Sequence, residues 1–286
     1  MPSPARARRL WALGEPFHAL TYFADEARTA FGAVGLRTFW TGYFAGRAAP
    51  LGPVGPEVVT ATFASFAPAF VARRVPEVWT TSSPGGALAA RLAGVDAAVQ
   101  RALPGWRDSA EAAEAAVLAQ RAAAAVDLPG RPMAAANAAL PSPEQPHLAL
   151  WQALTTLREH RGDGHLAALL QRGLLGLPAL VLSAAAGTTA TEWLQKARGW
   201  SPQEWAEAAE ALTARGWLSG GELTAEGLAI RTGVEADTDR LALGPWTELG
   251  DVGCDRLAEL LLPVRRAVIA AGDWPAHNPI GTSEPD

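Results

Sequence analysis

The chain of 286 residues has a single cysteine, Cys254, which excludes an internal disulfide and a cysteine-based zinc site. Lysine is as scarce: Lys196 stands alone against 23 arginines, which together with abundant alanine reads as the mark of a GC-rich genome. Long apolar runs are missing as well. No uninterrupted stretch reaches the ~18 residues a membrane span needs. The basic N-terminus leads into Leu10, Trp11 and Glu15 rather than into a signal-peptide core. The expected setting is therefore cytoplasmic, with no membrane partner. A net charge of −5 and a pI near 5.6 leave no global basic field to attract nucleic acid. No Gly-x-x-x-x-Gly-Lys-Ser/Thr loop, no Gly-x-Gly-x-x-Gly after a strand and no Gly-x-Ser-x-Gly elbow occurs, so nucleotide-driven and serine-hydrolase chemistries have no support.

Helical signals are what the chain does have, and the length suits two units of roughly 100 to 150 residues, so the expected class is mainly α. The region from Leu150 to Trp246 is the most telling. A long helical run is followed by short amphipathic segments at Thr191–Arg198 and Ser201–Trp217. The second of these opens with Ser201, Pro202 and Glu204, a specific helix start. A tight hairpin at Leu218–Leu223 and a further helix from Thr224 complete the set. This succession resembles the winged helix of the MarR family of regulators, and the resemblance implies DNA binding. The residues argue the other way, because a helix that meets phosphates and base edges carries Arg and Lys on its exposed face. The segment 201–214 holds Glu204, Glu207 and Glu210 and no basic residue, and the hairpin is short and carries no Arg or Lys.

A weak repeat with a period of 140 residues runs through the chain. Leu10-Trp11 answers Leu150-Trp151, and Ala87–Trp106 answers Gly227–Trp246. It predicts two winged-helix, MarR-like units fused into a pseudo-dimer with small β-wings. These are a degenerate N-terminal unit at 1–126, an Ala/Pro-rich linker at 127–146 and a C-terminal unit with a terminal interface helix at 147–286. In the first unit, the helix opened by Pro56 and Glu57 and running to Arg74 would be the reading helix, with 82–86 as its wing. That helix is apolar on nearly every side, which predicts burial. MarR proteins dimerise through their terminal helices, so the resemblance implies that 109–126 and 251–271 form an internal interface. The chain would then be a monomer or a weak homodimer.

Titratable residues gather in two places. Glu15, His18 and Tyr22 fall at i, i+3 and i+7, on one helical face. They precede Trp40, Tyr43, Phe44 and Arg47 in a stretch rich in glycine and aromatics. Apolar walls with a few placed polar groups are what a small-molecule pocket needs. The second cluster, Arg158–His165, contains His160, Asp163 and His165. Glu15, His18, Tyr22, His160, Asp163 and His165 are the candidate acid–base residues, and Trp40, Tyr43, Phe44 and Arg47 the candidate ligand contacts. No metal is assigned to these residues, because their spacing is not that of a zinc motif, and the cofactor is left open. Residues 10–23, 42–54 and 160–165 together also resemble an actinobacterial family known only as helix-turn-helix proteins, which implies the fold and leaves the activity open. The leading expectation is a pseudo-dimer that has lost DNA reading and binds a small-molecule ligand or substrate between its halves, with acid–base catalysis as an extension. The alternative is a ligand-responsive MarR-like transcriptional regulator touching DNA through Arg73, Arg74, Arg198 and Arg215, and a third reading is a haem- or metal-binding protein.

Overall fold

Prolines and hydroxyls punctuate this chain into short helices. The computed structural model describes residues 2–187 and 190–275, so the last eleven residues of the expected C-terminal unit lie outside the described residues. The first half runs α1 (Pro4–His18), α2 (Leu20–Phe23), α3 (Asp25–Ala33), α4 (Phe39–Ala48), α5 (Pro56–Thr62), α6 (Pro68–Ala72), α7 (Val75–Thr81), α8 (Pro84–Ala102) and α9 (Ala110–Ala123). After α10 (Pro132–Ala138) the second half runs α11 (Pro146–Gln171), α12 (Leu177–Ala185), α13 (Thr191–Arg198), α14 (Pro202–Ala214), β1 (Leu218–Ser219), β2 (Glu222–Leu223), α15 (Ala225–Leu241) and α16 (Gly244–Ala270). Proline stands in the first turn of α1, α5, α6, α8, α10, α11 and α14, where its missing N–H costs nothing and its fixed φ suits the helix.

The helix-turn-helix segment forms as its residues dictate. Ser201 Oγ accepts from the backbone N–H of Glu204, whose carboxylate in turn accepts from the Ser201 N–H, closing a capping box. Gly199 ends α13 with φ 77°, a left-handed conformation open to glycine. Gly220 and Gly221, with φ 59° and 85°, make the two-residue turn that pairs β1 with β2.

The first half departs from expectation. The helix expected from Glu57 to Arg74 is split: α5 stops at Thr62, Phe63–Ala67 is irregular, and Pro68 restarts the chain as α6. Phe63, Phe66 and Phe70 are buried beside Phe44, but Val58, Ala61, Pro68, Ala69 and Ala72 are exposed, so the segment buries one side and not every side as expected. Residues 82–86 form no wing, because Ser83 Oγ accepts from Gly86 N–H and caps α8. Nor is the stretch 127–146 structureless, since α10 buries Met133, Ala134 and Asn137 and packs against α11.

At the centre, α9 packs against α11, α16 packs against α1, and α9 and α16 pack against each other, so each half's last long helix leans on the other half's first. Leu10, Phe17, Leu150, Trp151 and Leu257 fill this core. Pro16 lies within α1 and has no N–H for the carbonyl of Ala12; Arg265 of α16 donates to that carbonyl at 2.5 Å instead. The outer regions also touch. The Ala67 N–H donates to Arg198 O at 2.9 Å and Trp200 Nε1–H to Ser65 O at 2.9 Å, docking the α5–α6 loop onto the turn between α13 and α14. A Cβ on Gly199 would lie 2.3 Å from Phe70, so only glycine permits this approach.

Candidate functional site

Three helices contribute to one buried polar ladder. Glu15 on α1 accepts Trp11 Nε1–H at 2.6 Å and Arg158 Nε–H at 3.3 Å. Arg158 Nη1 also reaches Glu159 at 3.3 Å. Glu159 accepts a bidentate pair from Arg47 of α4, at 2.9 Å to each oxygen, and Arg47 Nη1 donates to the Tyr43 hydroxyl at 3.1 Å. Glu15 and Glu159 are each 1% exposed, so these charges are held by one another rather than by water.

The two carboxylates answer their surroundings differently. Burial raises the pKa of Glu15, outweighing the lowering effect of Arg158. At Glu159 burial acts in the same sense but is overcome by Arg47 and Arg158, and its carboxyl is held well below the usual range. Arg91, also buried, has no carboxylate partner among the described residues; it donates to Gly46 O and Gln152 and lies over Trp151, and burial lowers its pKa to about 10.

His18 ends α1 and is 1% exposed. Its Nδ1 is 3.0 Å from Thr155 Oγ1, its ring stacks on Trp151 at 6.0 Å and meets the edge of Tyr22 at 5.4 Å, and its Nε2 has no hydrogen-bond partner among the described residues. Burial, reinforced by the charge of Arg158, pushes its pKa well below the ordinary imidazole value, so the ring is neutral. A cleft of about 400 Å³, counted out to open solvent, is lined by Trp11, Gly14, Glu15, His18, Leu154, Leu157, Arg158, His160 and Trp246. A second, of about 300 Å³, is lined by Thr21, Tyr22, Phe39 and Tyr43, so the ladder has a cleft at each end.

The expected residues are distributed as follows. Glu15, His18 and His160 share the first cleft, and Tyr22 and Tyr43 share the second. Arg47 belongs to the ladder, while Trp40 and Phe44 pack with Phe66 and Phe70 and line neither cleft. Asp163 does not orient a histidine. Its Oδ2 accepts Ala134 N–H at 2.9 Å and so caps α10, and burial raises its pKa to about 6. His160 pairs with Asp127 through Nε2 at 2.5 Å. His165 sits apart, with Nδ1 2.9 Å from Thr238 Oγ1. Arg158, Glu159, Thr155, Trp11 and Trp246 are not among the candidate site residues the sequence offers, although the 140-residue offset carries Glu15 onto Thr155 and His18 onto Arg158.

The acidic face of α14 is as the sequence suggests: Glu204, Glu207 and Glu210 are exposed, while Trp205 and Leu212 point inward. Of the arginines offered for DNA contact, Arg215 lies over Trp217 and donates to Gly173 O and Arg172 O, and Arg198 lies over Phe66. Arg74 covers Phe70 and donates to its carbonyl, whereas Arg73 is exposed. Among the described residues no group of three His, Cys, Asp or Glu side chains is placed to hold a metal ion, and no helix is long and apolar enough to cross a membrane. A family model described as a helix-turn-helix family matches residues 7–275. No curated protein and no solved structure matches the chain.

Proposed function

The chain belongs to this helix-turn-helix family, and from that premise we propose that it is a fused pseudo-dimer of winged-helix units, 1–126 and 147–286 around the segment 127–146, that binds a small molecule between its halves. The contacts between α1 and α11 support the pseudo-dimer. An interface with two-fold symmetry is self-complementary, so if residue i touches j of the other copy, j touches i of the other copy. With the offset of 140, Glu15 touches Arg158, the counterpart of His18, and His18 touches Thr155, the counterpart of Glu15. Gly14 faces its own counterpart, Leu154, where a Cβ would lie 3.2 Å from the leucine side chain. The crosswise packing of α9 and α16 has the same character.

Two observations argue that DNA reading has been lost. A pair of reading helices engages successive major grooves about 34 Å apart. Here the first half's counterpart segment is broken at Phe63–Ala67 and bonded to the turn between α13 and α14, so the two heads are in contact. The remaining head presents glutamates to solvent, which a polyanion repels.

The observation that carries ligand binding is His18: a neutral, buried imidazole with one unpartnered nitrogen, on a cleft between the halves walled by Trp11 and Trp246. Acid–base catalysis by His18 or His160 is an extension of the same site. The test is native mass spectrometry of the purified chain after incubation with a metabolite extract, with Leu154→Trp, which fills the cleft, as the control. Retention of one small molecule by the wild type and its loss in the variant is the expected result. A salt-sensitive retardation of genomic DNA in a gel, with no retained molecule, would make the protein a regulator instead.

A further inference from the structure

We infer that the junction between the two heads holds the carboxylate of a small organic acid at its solvent edge, with Arg198 of α13 and the Tyr43 hydroxyl of α4 as donors. This site is separate from the cleft of α1 and α11 and does not depend on it. Charge is the starting point. In the neighbouring ladder Arg47 is held by Glu159, and Arg158 by Glu159 and Glu15. Arg198 makes no ion pair and its Nε is buried without a hydrogen-bond partner among the described residues. Burial lowers its pKa, and the charges of Arg47 and Arg158 act in the same sense. A half-buried cation beside two others of its own sign lacks a counter-charge, and an anion that reaches it is favoured.

The fork is held in place by its surroundings. The Arg198 carbonyl accepts Ala67 N–H at 2.9 Å, and Arg198 Cζ lies 4.6 Å from the centre of the Phe66 ring. The Tyr43 ring lies 5.6 Å from that same ring, so guanidinium and phenol flank one aromatic plate. Nε is buried while the residue as a whole is half-buried, which leaves the Nη end of the fork as the part that meets solvent. The Tyr43 oxygen accepts from Arg47 Nη1 at 3.1 Å, and its own hydrogen goes to no acceptor among the described residues. Fork and hydroxyl are therefore both donors in want of an acceptor, and a carboxylate is an acceptor only. Its plane matches the guanidinium fork. Trp40, Phe66 and Trp200 pack around these groups, and such aromatic surroundings suit an organic acid better than a strongly hydrated inorganic anion.

Isothermal titration of the full chain at constant ionic strength with benzoate, benzyl alcohol and inorganic phosphate reads carboxylate, uncharged ring and a second oxyanion separately. Benzoate is expected to bind about tenfold more tightly than either of the others. Arg198→Gln should weaken benzoate by about tenfold or more, and Arg198→Lys, which keeps the charge and loses the fork, severalfold. Tyr43→Phe should also weaken it severalfold. Leu154→Trp, which fills the cleft of α1 and α11, should leave benzoate binding unchanged. Should Arg198→Gln not fold, the Nε–H resonance of Arg198 in the wild-type ¹⁵N spectrum, assigned by its loss in Arg198→Lys, is expected to move as benzoate is added. Failure of benzoate to bind, benzyl alcohol or phosphate binding as tightly, affinity indifferent to Arg198→Gln, or an Arg198 signal that benzoate leaves in place each overturns the inference. Benzoate binding that Leu154→Trp abolishes and Arg198→Gln does not would also overturn it, and would leave the cleft between α1 and α11 as the ligand site.

Discussion

Glu159 is where charges from both halves converge, with Arg47 reaching it from α4 and Arg158 lying beside it on α11. Glu159→Gln would leave two buried guanidiniums short of a counter-charge and is expected to cost about 3–5 kcal/mol, read from urea unfolding at neutral pH. Its carboxyl is held below the unfolded value, so the stability it contributes is present above the ordinary carboxylate pKa and is lost as the pH falls through the folded value. Asp163 has the opposite sign. With a folded pKa raised to about 6, it weakens the fold as the pH rises from about 4 through 6. Asp163→Asn keeps the acceptor for Ala134 N–H and removes the charge. It should match the wild type at pH 4 and exceed it at pH 8 by about 1–2 kcal/mol. At this scale the sequence was legible in part. The i, i+3 spacing puts Glu15 and His18 on one cleft, but α1 ends at His18, so Tyr22 at i+7 lies on α2 and lines the other cleft; the run 158–165 supplies Arg158 and Glu159 to the ladder. Spacing within one helix could not tell that Glu159 turns inward while Asp163 caps another helix.

Secondary elements were most legible where backbone chemistry is local. The Ser201–Pro202 start and the Gly-Gly turn act within a few residues and form as read, whereas Pro68 and Pro84 open helices where an unbroken helix and a wing were expected. Less legible was the interruption of the N-terminal helical run between His18 and Asp25, which carries neither proline nor glycine at the break, whereas its counterpart α11 continues for 26 residues. The pairing of Pro16 with Arg265 was equally hidden, because the donor lies 249 positions away. It yields a double-mutant prediction. Arg265→Met should cost about 2 kcal/mol by stranding the Ala12 carbonyl. Pro16→Ala returns an N–H to that carbonyl, so the same Arg265 change made on the Pro16→Ala background should cost at least about 1 kcal/mol less. Equal losses on both backgrounds, in paired chemical denaturation curves, would mean that Arg265 acts through other contacts. Gly94 makes a simpler case. A Cβ there would lie 2.6 Å from Ala27 Cα, so Gly94→Ala should separate α3 from α8 and lower stability by about 1–3 kcal/mol in the same assay.

For the molecule as a whole, the crosswise packing of α9 on α11 and of α16 on α1 means that the largest core is shared between the halves, beside smaller clusters within each. Calorimetry is expected to show one cooperative transition. Residues 1–126 and 147–286 expressed separately should each lack stable structure, and two well-resolved melting steps would contradict the shared core. The proposed duplication rests in the sequence on a period of 140 carried by few residues. What it could not reveal is how the two heads meet, because the docking of the α5–α6 loop on the α13–α14 turn uses backbone groups and a glycine, which leave no pattern in side-chain identity. The covalent link between the halves has a practical corollary. Two separate subunits would drift apart in a sufficiently dilute solution and take any shared cleft with them. In the proposed pseudo-dimer the second half is tethered at a fixed effective concentration, so occupancy of its cleft should follow the ligand alone and stay indifferent to how many copies of the protein are present.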